Sequence, residues 1–434
     1  MATDSNNQSW RVEHNCPQCG APVVLDETDR IFSCSYCRVR LYILPGDYTR
    51  YLLPPAAGIS EPLFFVPYWR LKGILFSIAG DQIEDKIVDS SLLALKFGAV
   101  PVSLGFRPQV LKLRYVVPES PGNFLPADLP FRLLAGKLDS AAPAVRPAPD
   151  SRSSCRIFVG ETVSMIFCPV YEQGNSLFDG ILREPLGAGS LEGFPEHQPN
   201  AGSESTVSRG GRAICDADIR GRISFVPVLC PHCGWDLEGE KDSLALFCRN
   251  CSSLWEPKCA GLERLDFSFM PHNGEAPVYL PFWRIRAAVS GLPLKSYADL
   301  IRLANLPRTI PGDCETKELH FWVPAFKVQP HLFLRLAKNL TVLQKEPNIE
   351  TQAPASSLFP VNIPLAEALE SLKIITASIA VPKKLIFPRL PEVGFTLQDR
   401  MLVYLPFTER GEELIQPEIQ MSIQKNALRW GRLM

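Results

Sequence analysis

The chain has 434 residues, 46% apolar and 21% charged, ordinary proportions for a folded globular protein that exclude an extended disordered chain. That length allows two or three domains, because one hydrophobic core stops growing at about 250 to 300 residues. With 45 Lys and Arg against 46 Asp and Glu, the net charge is −1, and no chain-wide field favours nucleic acid or an anionic membrane.

The N-terminal MATDSNNQSWRVEHNC has neither a basic nor an apolar stretch, so it does not read as a secretory signal. Next come Cys16 and Cys19, then Cys34 and Cys37 after fourteen intervening residues, GAPVVLDETDRIFS, which predict a hairpin between the two cysteine turns. FFVPYWRLKGILFSIAG, rich in aromatic and β-branched residues, reads as a strand whose internal proline suggests an edge or a bulge. The longest apolar stretch, SLLALKFGAVPVSLGF, is broken by Lys96 and Pro101, short of the roughly 18 residues a membrane helix needs. A cytoplasmic chain without a membrane span is expected, and there thirteen cysteines point to metal before disulfides. EQGN and ERGE, each between apolar runs, predict hairpin turns, and PLAEALESLKII predicts an amphipathic helix with Pro364 in its first position. Residues 186 to 212, rich in Gly, Ser and Glu, read as a linker, and 141–154 and 345–357 as loose loops.

The chain repeats itself. Cys230, Cys233, Cys248 and Cys251 lie 214 residues after the first set, and the same displacement carries Trp69 and Arg70 in FVPYWRLKG onto Trp283 and Arg284 in YLPFWRIRA. Weaker echoes keep the order: 98–113 against 321–336, displaced by about 222; 128–138 against 363–373; and 165–182 against VYLPFTERGEELIQPEI, displaced by 237. Two independent features sharing one displacement indicate a tandem duplication. The expected class is α+β, each half a cysteine ribbon followed by a β-rich module with short helices. The divisions are 1–50 first ribbon, 51–185 first module, 186–225 linker, 226–262 second ribbon and 263–434 second module.

Four thiolates in two short-spaced pairs suit a tetrahedral ion, since each pair wraps one turn around it. In CPQCG and CPHCG the proline presets the turn, while Gly20 and Gly234 can take the positive φ that brings backbone N–H groups to sulfur. These segments resemble the zinc ribbons of transcription factors and of many bacterial proteins. The resemblance implies one structural Zn²⁺ on Cys16, Cys19, Cys34 and Cys37 and another on Cys230, Cys233, Cys248 and Cys251. Arg38 and Ser252 depart from the pattern, standing where such ribbons usually have glycine. Rubredoxin-like iron and thiol–disulfide exchange use similar spacings and stay open. With four protein ligands there is no position for water or substrate, so the sites read as structural.

Trp69 and Trp283 are expected in the core, with Arg70 and Arg284 facing solvent across the strand. Cys155, Cys168, Cys215, Cys259 and Cys314 share no spacing; Cys168 reads as a small buried apolar group. His232, His320 and His331 carry no pattern of their own, and no catalytic set or cofactor site emerges. Three functions follow: a non-enzymatic assembly or adaptor protein with a protein partner; a nucleic-acid-binding protein using its ribbons; or an enzyme with a site between the halves. Charge disfavours the second, for each ribbon carries two surplus acids between its outer cysteines: Asp26, Glu27 and Asp29 against Arg30, and Asp236, Glu238, Glu240 and Asp242 against Lys241 and Arg249.

Overall fold

The computed structural model describes residues 10–432 apart from 46–47, 106–110, 118, 130–154, 190, 192–222, 259–260, 273–276, 308–311, 347–351, 353 and 355. Strands dominate over helices, as an α+β class requires. The loop predicted at 141–154, the echo at 128–138 beyond residue 129, and most of the linker lie outside the described residues. The linker's ends do not: 185–188 and 223–227 are both strands.

The first half contributes β1 (Arg11–Asn15), β2 (Pro22–Asp26), β3 (Ile31–Ser33), β4 (Arg40–Pro45), β5 (Thr49–Leu52) and β6 (Leu63–Ala79). It continues with β7 (Gln82–Leu93), β8 (Leu113–Tyr115), β9 (Asn123–Phe124), β10 (Cys155–Gln173), β11 (Ser176–Asp179) and β12 (Pro185–Ala188). Ten of these make one sheet, ordered β12-β11-β10-β5-β8-β1-β2, with β6 joining it through β10 and carrying β7 and β9. The second half begins with β13 (Ile223–Pro227), β14 (Leu246–Cys248), β15 (Ser253–Lys258), β16 (Gly261–Leu265), β17 (Phe267–Phe269) and β18 (Val278–Ser290). Then come α1 (Tyr297–Ala304), β19 (Phe321–Pro324), α2 (Pro330–Leu343), β20 (Ser357–Leu358), α3 (Leu365–Ile379), α4 (Lys383–Ile386) and β21 (Gly394–Arg410). The chain closes with β22 (Glu413–Gln416), β23 (Met421–Gln424) and α5 (Lys425–Gly431). Its main sheet has seven strands, ordered β19-β18-β21-β22-β23, with β17 on β21 and β20 on β18.

Local chemistry explains the elements. In α3, Pro364 is the N-cap, one position earlier than expected, where its missing N–H is harmless. Gly174 and Gly411, at φ 66° and 57°, close the EQGN and ERGE hairpins. Pro67 does not mark an edge: β6 lies between β10 and the pair β7 and β9. Pro67 falls where β7 stops at the Tyr68–Leu93 rung and β9 begins at Phe65, so its absent donor leaves no partner unmatched.

The halves carry matched bonds. Ala94 N–H donates to Pro67 O and Ala325 N–H to Pro281 O, at 2.9 and 3.0 Å. The Trp69 indole donates to Leu129 O at 2.8 Å and that of Trp283 to Ile363 O at 2.9 Å. Phe167 pairs with Leu52 in parallel, as Tyr404 pairs with Phe269. The hairpin rungs Glu172–Leu177 and Glu409–Leu414 correspond. One echo shifts. β19 sits beside β18 where β7 sits beside β6, with Trp283 opposite Val323 as Trp69 is opposite Leu92, so FWVP corresponds to 90–93 and not to the Val-Pro stretch near 100.

The halves also share a core. Ile74, Phe76, Ile78, Ile157 and Val159, at the far end of β6 and β10, pack with α2 and α3 of the second half, and Phe76 meets Phe333 with ring centroids 6.2 Å apart. There Gly73 and Gly160 let backbones touch, for a Cβ on Gly73 would lie 2.6 Å from Gly160 Cα.

Candidate metal centres

Each ribbon is two hairpins pinched at a cysteine turn. β1 pairs with β2 around Cys16 and Cys19, and β3 pairs with β4 around Cys34 and Cys37. In the first ribbon the segment between the inner cysteines does not fold on itself as expected, its two ends pairing outward across the cysteine turns, whereas in the second it does, Glu238 and Phe247 exchanging backbone bonds of 2.8 and 2.9 Å. Gly20 and Gly234 take φ 76° and 74°, and Arg38 and Ser252 hold the same left-handed conformation at φ 61° and 47° without glycine. These turns close with Gly20 N–H to Cys16 O and Arg38 N–H to Cys34 O, at 2.8 and 2.9 Å.

The eight predicted cysteines form two clusters, Cys16, Cys19, Cys34 and Cys37, and Cys230, Cys233, Cys248 and Cys251, each with its sulfurs within 4.8 Å of one another. Cys16–Cys37 and Cys19–Cys34 are 3.7 and 3.6 Å apart, Cys230–Cys251 and Cys233–Cys248 3.6 and 3.5 Å. A tetrahedral ion with bonds of about 2.3 Å to sulfur spaces its ligands by about 3.8 Å, so both clusters could hold a metal ion.

The sulfurs are prepared for charge. The N–H groups of Cys37 and Tyr36 point at Cys34 and bring its thiol down to about 7. Against the Val39 N–H that favours its thiolate, the neighbouring thiols push Cys37 up to about 12. Burial opposes ionisation of Cys230, yet the Cys233 and His232 N–H groups and Ser253 bring it to about 6. Burial and crowding push Cys248 up to about 12, against the Cys251 N–H. Four sulfurs this close cannot all ionise unaided, and a cation among them supplies the compensating charge. Ser253, whose hydroxyl oxygen is 3.0 Å from Cys251 Sγ and accepts from the Trp255 indole at 2.8 Å, positions the second cluster.

The remaining candidates stand apart from the clusters. Cys155, Cys168 and Cys314 are buried singly, Cys168 opposite Val66 in the sheet as expected, while Cys215 and Cys259 lie outside the described residues. His232 and His331 are exposed. His320 is buried and accepts at Nδ1 from Arg284 at 3.1 Å.

Trp69 and Trp283 are core residues as expected, but the arginines beside them do not face solvent. Arg70 is fully buried and grips Glu27 of the first ribbon, with Nη2–Oε1 at 3.0 Å and Nε–Oε2 at 3.3 Å. Its guanidinium lies 3.7 Å over the Trp10 ring, and it also meets Asp89. Lys72 reaches the same carboxylate at 3.7 Å. Arg284, only partly exposed, meets His320 and Glu346 instead.

A second clamp holds the other ribbon. Asp242 takes two bonds from Arg432, at 2.6 and 3.1 Å, and one from Asn362 at 3.2 Å. The ribbons themselves are joined, since β13 adds to the first ribbon beside β4. The Tyr42 hydroxyl donates to Ser243 O, and Ile31, Tyr42, Leu44, Val228, Leu237, Leu246 and Trp255 make a common core. Glu27, Asp29 and Asp242, which read as surface charge in the sequence, are thus buried. Their missed signal is an acid among apolar residues with an arginine available in the following module.

Among the described residues, no helix is long and apolar enough to cross a membrane. Comparison with protein-family models, curated proteins and solved structures finds no match for this chain.

Proposed function

We infer that the chain is a zinc-binding assembly or adaptor protein, non-enzymatic, that acts through protein contacts in a reducing, cytoplasmic compartment, and that its halves arose by duplication. The observation that carries this reading is the position of the four-sulfur clusters. Each has all four tetrahedral positions supplied by cysteine, and each lies in a ribbon clamped to a module by an ion pair, the buried Glu27–Arg70 or the part-buried Asp242–Arg432. That is the arrangement of an ion that shapes a surface, not one that receives a substrate. Zinc fits a closed thiolate site without redox chemistry, and thiols that stay reduced fit a cytoplasmic setting. The duplication rests on the shared cysteine spacing and the paired bonds of Trp69 with Trp283 and of Pro67 with Pro281.

Native mass spectrometry of the untagged protein from its own cells tests this. Two zinc ions and a stoichiometric protein partner are expected. A chain that carries its metal but no partner would overturn the adaptor reading.

A further inference from the structure

The three-stranded sheet β13-β4-β3 belongs to both ribbons, since β3 and β4 come from the first and β13 leads into the second. Side chains alternate across a strand, and here each face of the sheet meets a different cysteine cluster. Phe32, Leu41 and Ile43 pack in one core with Cys16 and Cys34, and Phe225 packs against it. Ile31, Tyr42 and Leu44 pack in another core with Cys230 and Cys248, and Val226 packs against that one. Neighbours in sequence therefore serve different centres. The sheet is a wall between the clusters, and each cluster's core is completed by residues from the other ribbon or the strand leading into it.

Direct contacts reinforce the wall. The N–H groups of Arg30 and Ile31 both donate to Lys241 O, at 2.6 and 2.9 Å, and the Tyr42 hydroxyl donates to Ser243 O at 3.0 Å. The first ribbon thus holds the stretch that separates Cys233 from Cys248. In the other direction, Phe225 stacks on His14 with ring centroids 5.3 Å apart and meets Phe32 edge-on at 5.8 Å. A unit shorter than about 40 residues usually needs a metal or another staple to fold, and metal binding to such a unit is itself folding energy. An ion that orders one ribbon therefore also orders one side of the core around the other centre.

We propose that this shared sheet makes metal occupancy cooperative, so that the chain passes between a form with two ions and a form with none, and the singly loaded form is scarce. This rests on the metal reading above. Linkage makes the coupling reciprocal: the factor by which an ion in the first centre tightens the second is the factor by which the second tightens the first.

The test measures zinc affinity by chelator competition in the full chain. Cys19→Ser/Cys37→Ser empties the first centre and Cys233→Ser/Cys251→Ser the second, at exposed or half-buried ligands outside the shared sheet. In each variant the surviving centre is expected to bind zinc at least about fivefold more weakly than it does in the wild type. A second readout needs no variant, because the two centres have the same ligands at nearly the same spacing. In native mass spectra of the wild type taken during stepwise chelation, independent centres would bring the singly loaded chain to about half of the molecules, and coupled centres keep it well below that. Unchanged affinity in both variants, or a singly loaded chain that reaches about half, would overturn the proposal. A wild-type chain that never holds two ions removes the metal reading itself, whereas two ions released independently remove only the coupling.

Discussion

Replacing Glu27 by Gln removes one charge from a pair with almost no solvent access, the Arg70 and Glu27 side chains being 1% and 0% exposed. Two opposite charges about 4 Å apart interact by about 4 kcal/mol at an effective dielectric constant of 20. Arg70 retains half-exposed Asp89 and the Trp10 ring, while Lys72 loses the carboxylate it reaches at 3.7 Å. Breaking one side of a buried pair costs about 3–5 kcal/mol, and that range is expected here. Replacing both partners by apolar residues, Glu27→Leu with Arg70→Met, should cost less than Glu27→Gln alone, because no uncompensated charge stays buried. Urea unfolding followed by tryptophan fluorescence, with metal-loaded protein throughout, gives both values. A loss below about 1 kcal/mol for Glu27→Gln, or a double variant as unstable as the two single losses added, would refute the clamp.

Burial, then the Arg284 charge, lowers the His320 pKa to about 4, against the pull of Glu318 and Glu346. The unfolded chain takes up that proton near pH 6.5, so this contribution is complete above that pH and is lost as pH falls toward about 4; on the order of 3 kcal/mol is at stake, and His320→Gln should flatten the slope in a pH series of urea midpoints. Arg38→Gly and Ser252→Gly relieve left-handed backbone at φ 61° and 47° and should each raise stability by up to about 1 kcal/mol without changing metal content, as read by thermal melting. Gly73→Ala drives a Cβ to 2.7 Å from Val159 O and should cost about 1–3 kcal/mol, whereas Gly98→Ala, with no atom near its Cβ and no left-handed φ, lacks that penalty.

The metal clusters were legible because eight cysteines at fixed spacing leave few arrangements, and the long strands because their aromatic and β-branched runs match β6 and β18. Alternation placed Trp69 in the core but misplaced Arg70. A strand covered on both faces has no solvent side, and the cover comes from a ribbon some forty residues earlier in the chain, Glu27 to Arg70. The segment between the inner cysteines of the first ribbon misled for the opposite reason: its two ends find neighbours across the cysteine turns, while the matching segment of the second ribbon closes on itself at Glu238 and Phe247 as expected. The proline in β6 read as an edge because composition cannot show that one neighbour ends where the next begins. The joint between the ribbons left no local mark, since β13 lies far from β4 in sequence and pairs with it only in the fold.

The most direct test of the two closed thiolate centres is zinc K-edge X-ray absorption on the untagged protein, with metal content measured on the same sample. The account predicts two zinc ions per chain and a first shell of four sulfurs at about 2.3 Å with no nitrogen or oxygen neighbour. A shell containing lighter ligands, or a metal-free chain with its paired cysteines oxidised, would contradict it.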